Sequence, residues 1–172
     1  VNPENSFTEK PIWIHAVSVG EVKVASLLVK EIKKRHPNSK IFLTVSTLTG
    51  SRQIKKLYGN DLAHQYLPYD LNIFVTRFLS SIKPKCLILI ETEIWPNLIN
   101  NCFKQKIPIA LLNGRLSEKS LKKYLRFKTF FKKIFSQLNL VISQSQKDLD
   151  NFIIARVSPQ NVFSDHSLKF SD

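Results

Sequence analysis

Two kinds of apolar patterning alternate along this chain: short unbroken apolar runs, and longer stretches where apolar residues recur every three or four positions. Strand-length, mainly apolar stretches fall at 12–17, 41–45, 86–90, 107–112 and 138–142, with a weaker one at 62–67 and a short last one at 161–163. They have the length and β-branched content of strands, and runs such as Cys86-Leu87-Ile88-Leu89-Ile90 suit a parallel sheet covered on both faces. The helical stretches lie between them. Val22, Ala25, Leu28, Val29 and Ile32 share one face, with Lys23, Lys30, Lys33 and Lys34 opposite. Leu71, Phe74, Val75, Phe78, Leu79 and Ile82 follow the amphipathic template most closely.

Breakers punctuate the pattern at His36-Pro37-Asn38, Tyr58-Gly59-Asn60, Pro68-Tyr69-Asp70 and Lys83-Pro84. Pro96 stands in the first turn of a helix. From 117 to 135 a helical pattern carries Lys119, Lys122, Lys123, Arg126 and Lys133 on one face. Lys128 and Lys132 violate the apolar face, which predicts a bend near Lys128. A last helix covers 146–154. Strand alternating with helix throughout predicts an α/β domain: a Rossmann-like parallel sheet with helices on both faces. We divide the chain into an N-terminal extension, 1–10, and one domain, 11–172.

Composition narrows the picture. The 172 residues suffice for one domain with a real core, and 43% hydrophobic content argues against disorder. No apolar run reaches the length needed to span a bilayer. Cys86 and Cys102 lie inside apolar or helical patterns and read as reduced core thiols. His15, His36, His64 and His166 have no metal-ligand spacing, so no metal and no cofactor is expected. Twenty-six Lys and Arg against thirteen Asp and Glu give a net charge of +13. Such a surplus attracts nucleic acid, acidic lipid or phosphorylated substrates. A nucleic-acid-binding module is one reading of the charge, but the chain carries no recognisable RNA or DNA motif and no stacking patch. The G-x-G-x-x-G and G-x-x-x-x-G-K phosphate loops are also absent.

The chemistry gathers where strands end. Glu21 follows the first strand through Ser18-Val19-Gly20, and Gly20 reads as the residue that lets the backbone turn closely. Glu91 follows the fourth strand, with Glu93 competing in the same turn. If these strands are neighbours, both carboxylates open onto one crevice, a pairing suited to general-base work. Helix capping is the alternative for each. Ser18, Ser46, Thr47, Thr49, Gly50 and Ser51 offer hydroxyls and helix N-terminal amides at the same rim, for sugar or phosphate or simply for caps. Asn113 and Arg115 follow the fifth strand, where Arg115 faces an anionic substrate or makes a surface ion pair.

Together these residues resemble a known family. Trp13-Ile14-His15-Ala16-Val17-Ser18-Val19-Gly20-Glu21 is similar to the signature of the 3-deoxy-D-manno-octulosonic acid (Kdo) transferases. Tyr66-Leu67-Pro68-Tyr69-Asp70, Glu91-Thr92-Glu93-Ile94-Trp95-Pro96-Asn97 and Asn113-Gly114-Arg115-Leu116-Ser117 resemble further family motifs in the same order. The resemblance implies the N-terminal, acceptor-side half of a GT-B glycosyltransferase that moves Kdo from CMP-Kdo to the lipid A precursor in lipopolysaccharide assembly. It implies inversion by direct displacement without a metal, at the cytoplasmic face of the bacterial inner membrane. It casts Glu21 as proton acceptor, with Glu91 and Lys169 stabilising the transition state. Ser18, Gly20, Thr49, Gly50, Asn113 and Arg115 are the candidate substrate contacts.

Two departures from the family accompany this. Asp165-His166-Ser167 stand before Leu168-Lys169-Phe170 where the family has glycine. The nucleotide-sugar domain and the membrane anchor of the family have no counterpart in these residues. The chain is therefore expected to lack transferase activity by itself, and a catalytically dead remnant that binds anionic lipid is the competing reading. Lysines and arginines of the 117–135 stretch, with Phe130 among them, suit an anionic membrane surface.

Overall fold

A computed structural model describes residues 9–164. Seven parallel strands form one sheet: β1 (Ile12–His15), β2 (Ile41–Val45), β3 (Ala63–Tyr66), β4 (Cys86–Ile90), β5 (Ile109–Gly114), β6 (Leu140–Ser143) and β7 (Val162–Ser164). The spatial order is β3-β2-β1-β4-β5-β6-β7. The chain starts in the middle, builds outward to β3, then crosses back to lay β4 on the free side of β1. The strand order thus reverses between β1 and β4, where open α/β sheets hold their ligands.

Register sorts the apolar residues onto two faces. Trp13 pairs with Phe42 on one side and Leu87 on the other, and Ile14 pairs with Leu43 and Ile88. Side chains alternate along a strand, so the Trp13 set faces one way and the Ile14 set the other. Two cores result. Helices α1 (Val19–Arg35) and α2 (Leu48–Tyr58) bring Val22, Ala25, Val29 and Ile54 onto the Ile14 face. Helices α3 (Asn72–Ile82), α4 (Pro96–Lys104), α5 (Glu118–Arg126), α6 (Lys128–Phe135) and α7 (Gln146–Ile154) cover the other face through Phe78, Ile99, Leu121, Phe135 and Phe152. The bend expected near Lys128 is a break at Phe127, which ends α5 and begins α6. It lets Leu121 and Phe135 face the same core while Lys128 is exposed and Lys132 only partly covered.

Cys86 and Cys102 are free thiols, and Cys102 is fully buried, as the sequence suggests. Among the described residues no helix is long and apolar enough to cross a membrane. Lys169 lies outside the described residues.

Candidate active site at the strand reversal

β1 and β4 are hydrogen-bonded neighbours, so the residues that follow them meet at the carboxyl edge of the sheet. Ser18 caps α1, its Oγ accepting the Glu21 amide at 3.3 Å. Glu21 then folds back, and its Oε2 accepts the Val17 amide at 2.8 Å. This is a reciprocal cap of the kind that closes a helix N-terminus, shifted by one residue. Glu21 is consequently 5% exposed. The expectation that both carboxylates open onto one crevice is corrected for Glu21, which is largely enclosed by its own capping bond as in the alternative reading, whereas Glu91 is half-buried. Among the described residues only Oε2 is engaged, and no hydrogen bond holds Oε1.

Glu91 leaves β4 in a left-handed conformation, φ 63°. A non-glycine residue there carries about 1–3 kcal/mol of strain. Its surroundings hold it. The Glu91 amide donates to the Leu112 carbonyl at 2.8 Å, and the Glu93 amide donates back to the Glu91 carbonyl at 2.9 Å. Next to it, Thr92 Oγ1 donates to the Arg115 carbonyl at 2.6 Å and accepts the Arg115 amide at 2.9 Å. The β4–α4 and β5–α5 loops are thus tied together, and Glu91 and Arg115 are presented side by side.

The electrostatics follow from this crowding. Burial and the Glu21 charge push the Glu91 carboxyl up, and the Arg115 guanidinium opposes the rise. Glu93 responds more strongly: burial, then the charges of Glu21 and Glu91, lift it to about 7. The Trp95 indole N–H is turned toward it, without a hydrogen bond of ordinary geometry, and relieves part of the rise. Glu21, Glu91 and Glu93 therefore act as one electrostatic group, in which Glu93 is the carboxyl that keeps a proton near neutrality. Among the described residues no three His, Cys, Asp or Glu side chains gather as a metal would need.

Under this group lies a buried polar chain that sequence reasoning missed. His15 is fully enclosed, and burial lowers its imidazole to about 4. Its Nδ1 lies 2.9 Å from Thr44 Oγ1 and 3.2 Å from the Thr44 carbonyl. A carbonyl only accepts, so Nδ1 carries the proton. Trp13 Nε1 donates to the same Thr44 hydroxyl at 2.8 Å, and the Trp95 ring meets the His15 ring edge-on, centroids 6.3 Å apart. The His15-Ala16-Val17 stretch read as plain strand, and no spacing marked His15 as structural.

The remaining candidates divide. Gly20 lies within the first turn of α1 in open space, and a Cβ there would meet only Ser18 Oγ at 3.7 Å. The tight turn expected of it is therefore absent. Its contribution is an exposed first-turn amide with no helical carbonyl ahead of it. Gly50 is the close-packed one: a Cβ would lie 3.0 Å from Thr47 Oγ1 and 3.3 Å from the Val17 carbonyl. It lets α2 approach the end of β1, where Thr47 Oγ1 donates to the Val17 carbonyl at 2.8 Å. Thr49 is exposed at the same rim. Asn113 adopts φ 58°, and Gly114 has no room for a Cβ, with Leu111 Cδ2 at 2.5 Å, so this turn delivers Arg115 to the rim. Asp70 also escaped notice as a functional support. Its carboxylate accepts the amides of Asn97 and Leu98 at 3.0 and 2.8 Å, capping the helix that follows Glu93.

Comparison with known proteins gives this arrangement a context. The family model described as 3-deoxy-D-manno-octulosonic-acid transferase (kdotransferase) matches residues 2–172. A protein of Haemophilus influenzae called 3-deoxy-D-manno-octulosonic acid transferase is 41% identical over 133 residues, covering 77% of this chain and 31% of that protein. One of the same name from Rickettsia typhi is 39% identical over 149 residues, covering 87% of the chain and 32% of its own length. The chain thus spans about a third of the length of these curated relatives. Among solved structures, a UDP-GlcNAc 2-epimerase from Neisseria meningitidis superposes with TM-score 0.63 at 14% identity, covering 91% of this chain and 46% of that one. A UDP-N-acetylglucosamine 2-epimerase from Rickettsia bellii gives TM-score 0.58 at 13% identity, over 90% and 44%. At such identities the likeness is one of fold.

Proposed function

Given that this chain belongs to the 3-deoxy-D-manno-octulosonic acid transferase family, we propose that it forms the acceptor-side half of an inverting Kdo transferase acting on the lipid A precursor. The observation that carries the reading is the adjacency of β1 and β4, which sets Glu21 and Glu91 at one reversal point of the sheet. Glu21 is the proton acceptor. Its Oε2 is held by the Val17 amide, which fixes the carboxylate and leaves Oε1 to take the proton from the attacking sugar hydroxyl.

Glu91 and Arg115 orient the acceptor, the first by accepting hydroxyls and the second by meeting anionic substituents. Lys169 is assigned to charge stabilisation from the family resemblance alone. The exposed amides of the first turn of α1 and the Thr49 hydroxyl complete the sugar contacts. The donor is CMP-Kdo, bound chiefly by a second, nucleotide-binding half.

The partner surface is the anionic cytoplasmic leaflet of the inner membrane. Phe127 and Phe130 are 68% and 52% exposed around the α5–α6 break, flanked by Lys122, Lys123 and Arg126. Exposed aromatics ringed by cations suit a headgroup layer. Binding to anionic vesicles is expected to weaken in high salt and on charge reversal at Lys122 and Lys123.

The test of the catalytic reading is a transfer assay with CMP-Kdo and lipid A precursor, on this chain joined to the nucleotide-binding half of a Kdo transferase. Glu21→Gln is expected to lower turnover by about 10²- to 10⁴-fold, the usual worth of a general base. Turnover unchanged by Glu21→Gln would overturn the assignment.

A further inference from the structure

Beside the carboxylate group, between the beginnings of α5 and α7, lies an open cavity of about 640 Å³. Four cations line it: Arg115, Lys119, Lys122 and Lys147. Two acids line it as well, and each is already engaged. Glu118 pairs with Lys147 at 2.7 Å. Asp148 accepts the Leu116 amide at 2.8 Å and the Ser145 hydroxyl. Arg115, Lys119 and Lys122 make no ion pair among the described residues. Four cations against two carboxylates leave the concavity a surplus of two positive charges, with Arg115, Lys119 and Lys122 free of ion pairs to take a ligand.

We propose that this cavity is a phosphomonoester site, in which Arg115, Lys119 and Lys122 hold a phosphate of the substrate while its sugar reaches the carboxylates at the strand reversal. The inference rests on the reading of the chain as a sugar transferase and deepens it. Three features favour a phosphate over a carboxylate. The uncompensated charge matches a dianion rather than a monoanion. A guanidinium with two flanking ammonium groups is the donor set that phosphate oxygens draw. Ser117 and Ser145, the N-caps of α5 and α7, both line the cavity, so the positive ends of two nine-residue helices add to the same field. The cavity volume is that of a small-molecule site, roomier than a lone ion requires.

Arg115 links the two sites. Its backbone is latched to Thr92 beside Glu91, its charge acts on Glu91, and its side chain lines the cavity. A phosphate seated here stands one residue away from the acid group, so a phosphorylated sugar spans both. The same phosphate chemistry is carried by the acceptor glycolipid and by the nucleotide of the donor.

Isothermal titration at fixed ionic strength tests the site with three soluble probes: a phosphorylated glucosamine disaccharide, its dephosphorylated counterpart, and CMP. The phosphorylated sugar is expected to bind about tenfold more tightly than its counterpart. Lys119→Gln with Lys122→Gln is expected to weaken it about tenfold, while Lys30→Gln with Lys34→Gln, equal in charge and exposed on α1 outside the cavity, changes it by less than about threefold. Tighter binding of the phosphorylated sugar than of CMP assigns the phosphate to the acceptor, and the reverse order assigns it to the nucleotide; either supports the site. Equal weakening by the two double variants, or equal binding of the two disaccharides, overturns it. The readout needs no turnover, so its failure is separate from failure of the Glu21 assignment, which the transfer assay reads.

Discussion

Thr92 and Arg115 exchange two hydrogen bonds across 23 residues of chain, the hydroxyl donating to the Arg115 carbonyl at 2.6 Å and accepting its amide at 2.9 Å. One side chain thereby satisfies both backbone groups of the residue that follows the β5 turn. Glu91 and Arg115 owe their juxtaposition to it. Thr92→Val keeps the shape and removes both bonds. It is expected to lower stability by about 1–2 kcal/mol in urea unfolding. Because the loops part, it is also expected to weaken phosphorylated-sugar binding, whereas Thr92→Ser restores both. A valine variant with unaltered stability would show that the latch is idle.

The second support is Asp70. Trp95 caps α4 in position only, with no side-chain bond, and Asp70 supplies the acceptor from the preceding loop. A carboxylate accepting two first-turn amides also complements the helix dipole. Asn97 Nδ2 returns a bond to the Asp70 carbonyl at 2.6 Å. Asp70→Ala is expected to cost about 1–2 kcal/mol in denaturant unfolding. Asp70→Asn keeps one acceptor and loses the charge, so it falls between. Equal stability of all three proteins would refute the cap.

The alternation of strand and helix was legible because inner strands such as β4 read as apolar runs and their covering helices do not, while the edge strand β3, Ala-His-Gln-Tyr and only partly buried, gave a weaker signal. The break in the 117–135 helix was legible too: Lys128 and Lys132 cannot sit on a core-facing stripe, and the chain turns at Phe127. Adjacency was not. That β1 borders β4 depends on where α3 carries the chain, which periodicity does not encode. The enclosure of Glu21 was hidden for a related reason. Whether a glutamate at that helix position faces solvent or caps its own turn is a rotamer choice, and the same three letters permit both. Gly20 does not make the close turn expected of it, and the close approach falls at Gly50, since only three-dimensional packing separates an open amide from a packed one. Asp70 and Asn97 belong to motifs that were visible as text, yet their mutual bond joins loops 27 residues apart. The family resemblance singled out Glu21 and Glu91 where residue chemistry alone left capping open.

Glu93 makes stability depend on pH. Its carboxyl is lifted from 4.5 to about 7 in the folded chain. The folded state therefore holds the proton more tightly than the unfolded chain does. The stabilisation is full below pH 4.5 and is lost as pH rises through 7. Glu93→Gln stays uncharged throughout. The variant is expected to unfold at higher urea than the parent at pH 8, by about 2 kcal/mol or less after solvent screening, and to match it near pH 4. A parent and variant that differ equally at both pH values would remove the raised carboxyl from the account.

His15 has the opposite sign. Burial lowers its imidazole from 6.5 to about 4, so the unfolded chain takes up the proton first. Its contribution is full above pH 6.5 and drains away as pH falls through 4. Over the shared range Glu93 works against it, so the measurement belongs in the Glu93→Gln background. There, the parent imidazole is expected to remove about 3 kcal/mol of stability between pH 7 and pH 4. His15→Phe fills the ring space and does not titrate. It is expected to cost about 1 kcal/mol at pH 7.5, through the lost bond to Thr44, and to abolish this component of the acid slope. An NMR titration of the parent should place the imidazole near pH 4. A value near 6.5 would mean that the ring reaches water, and that the space between Thr44 and Trp95 is wet rather than closed.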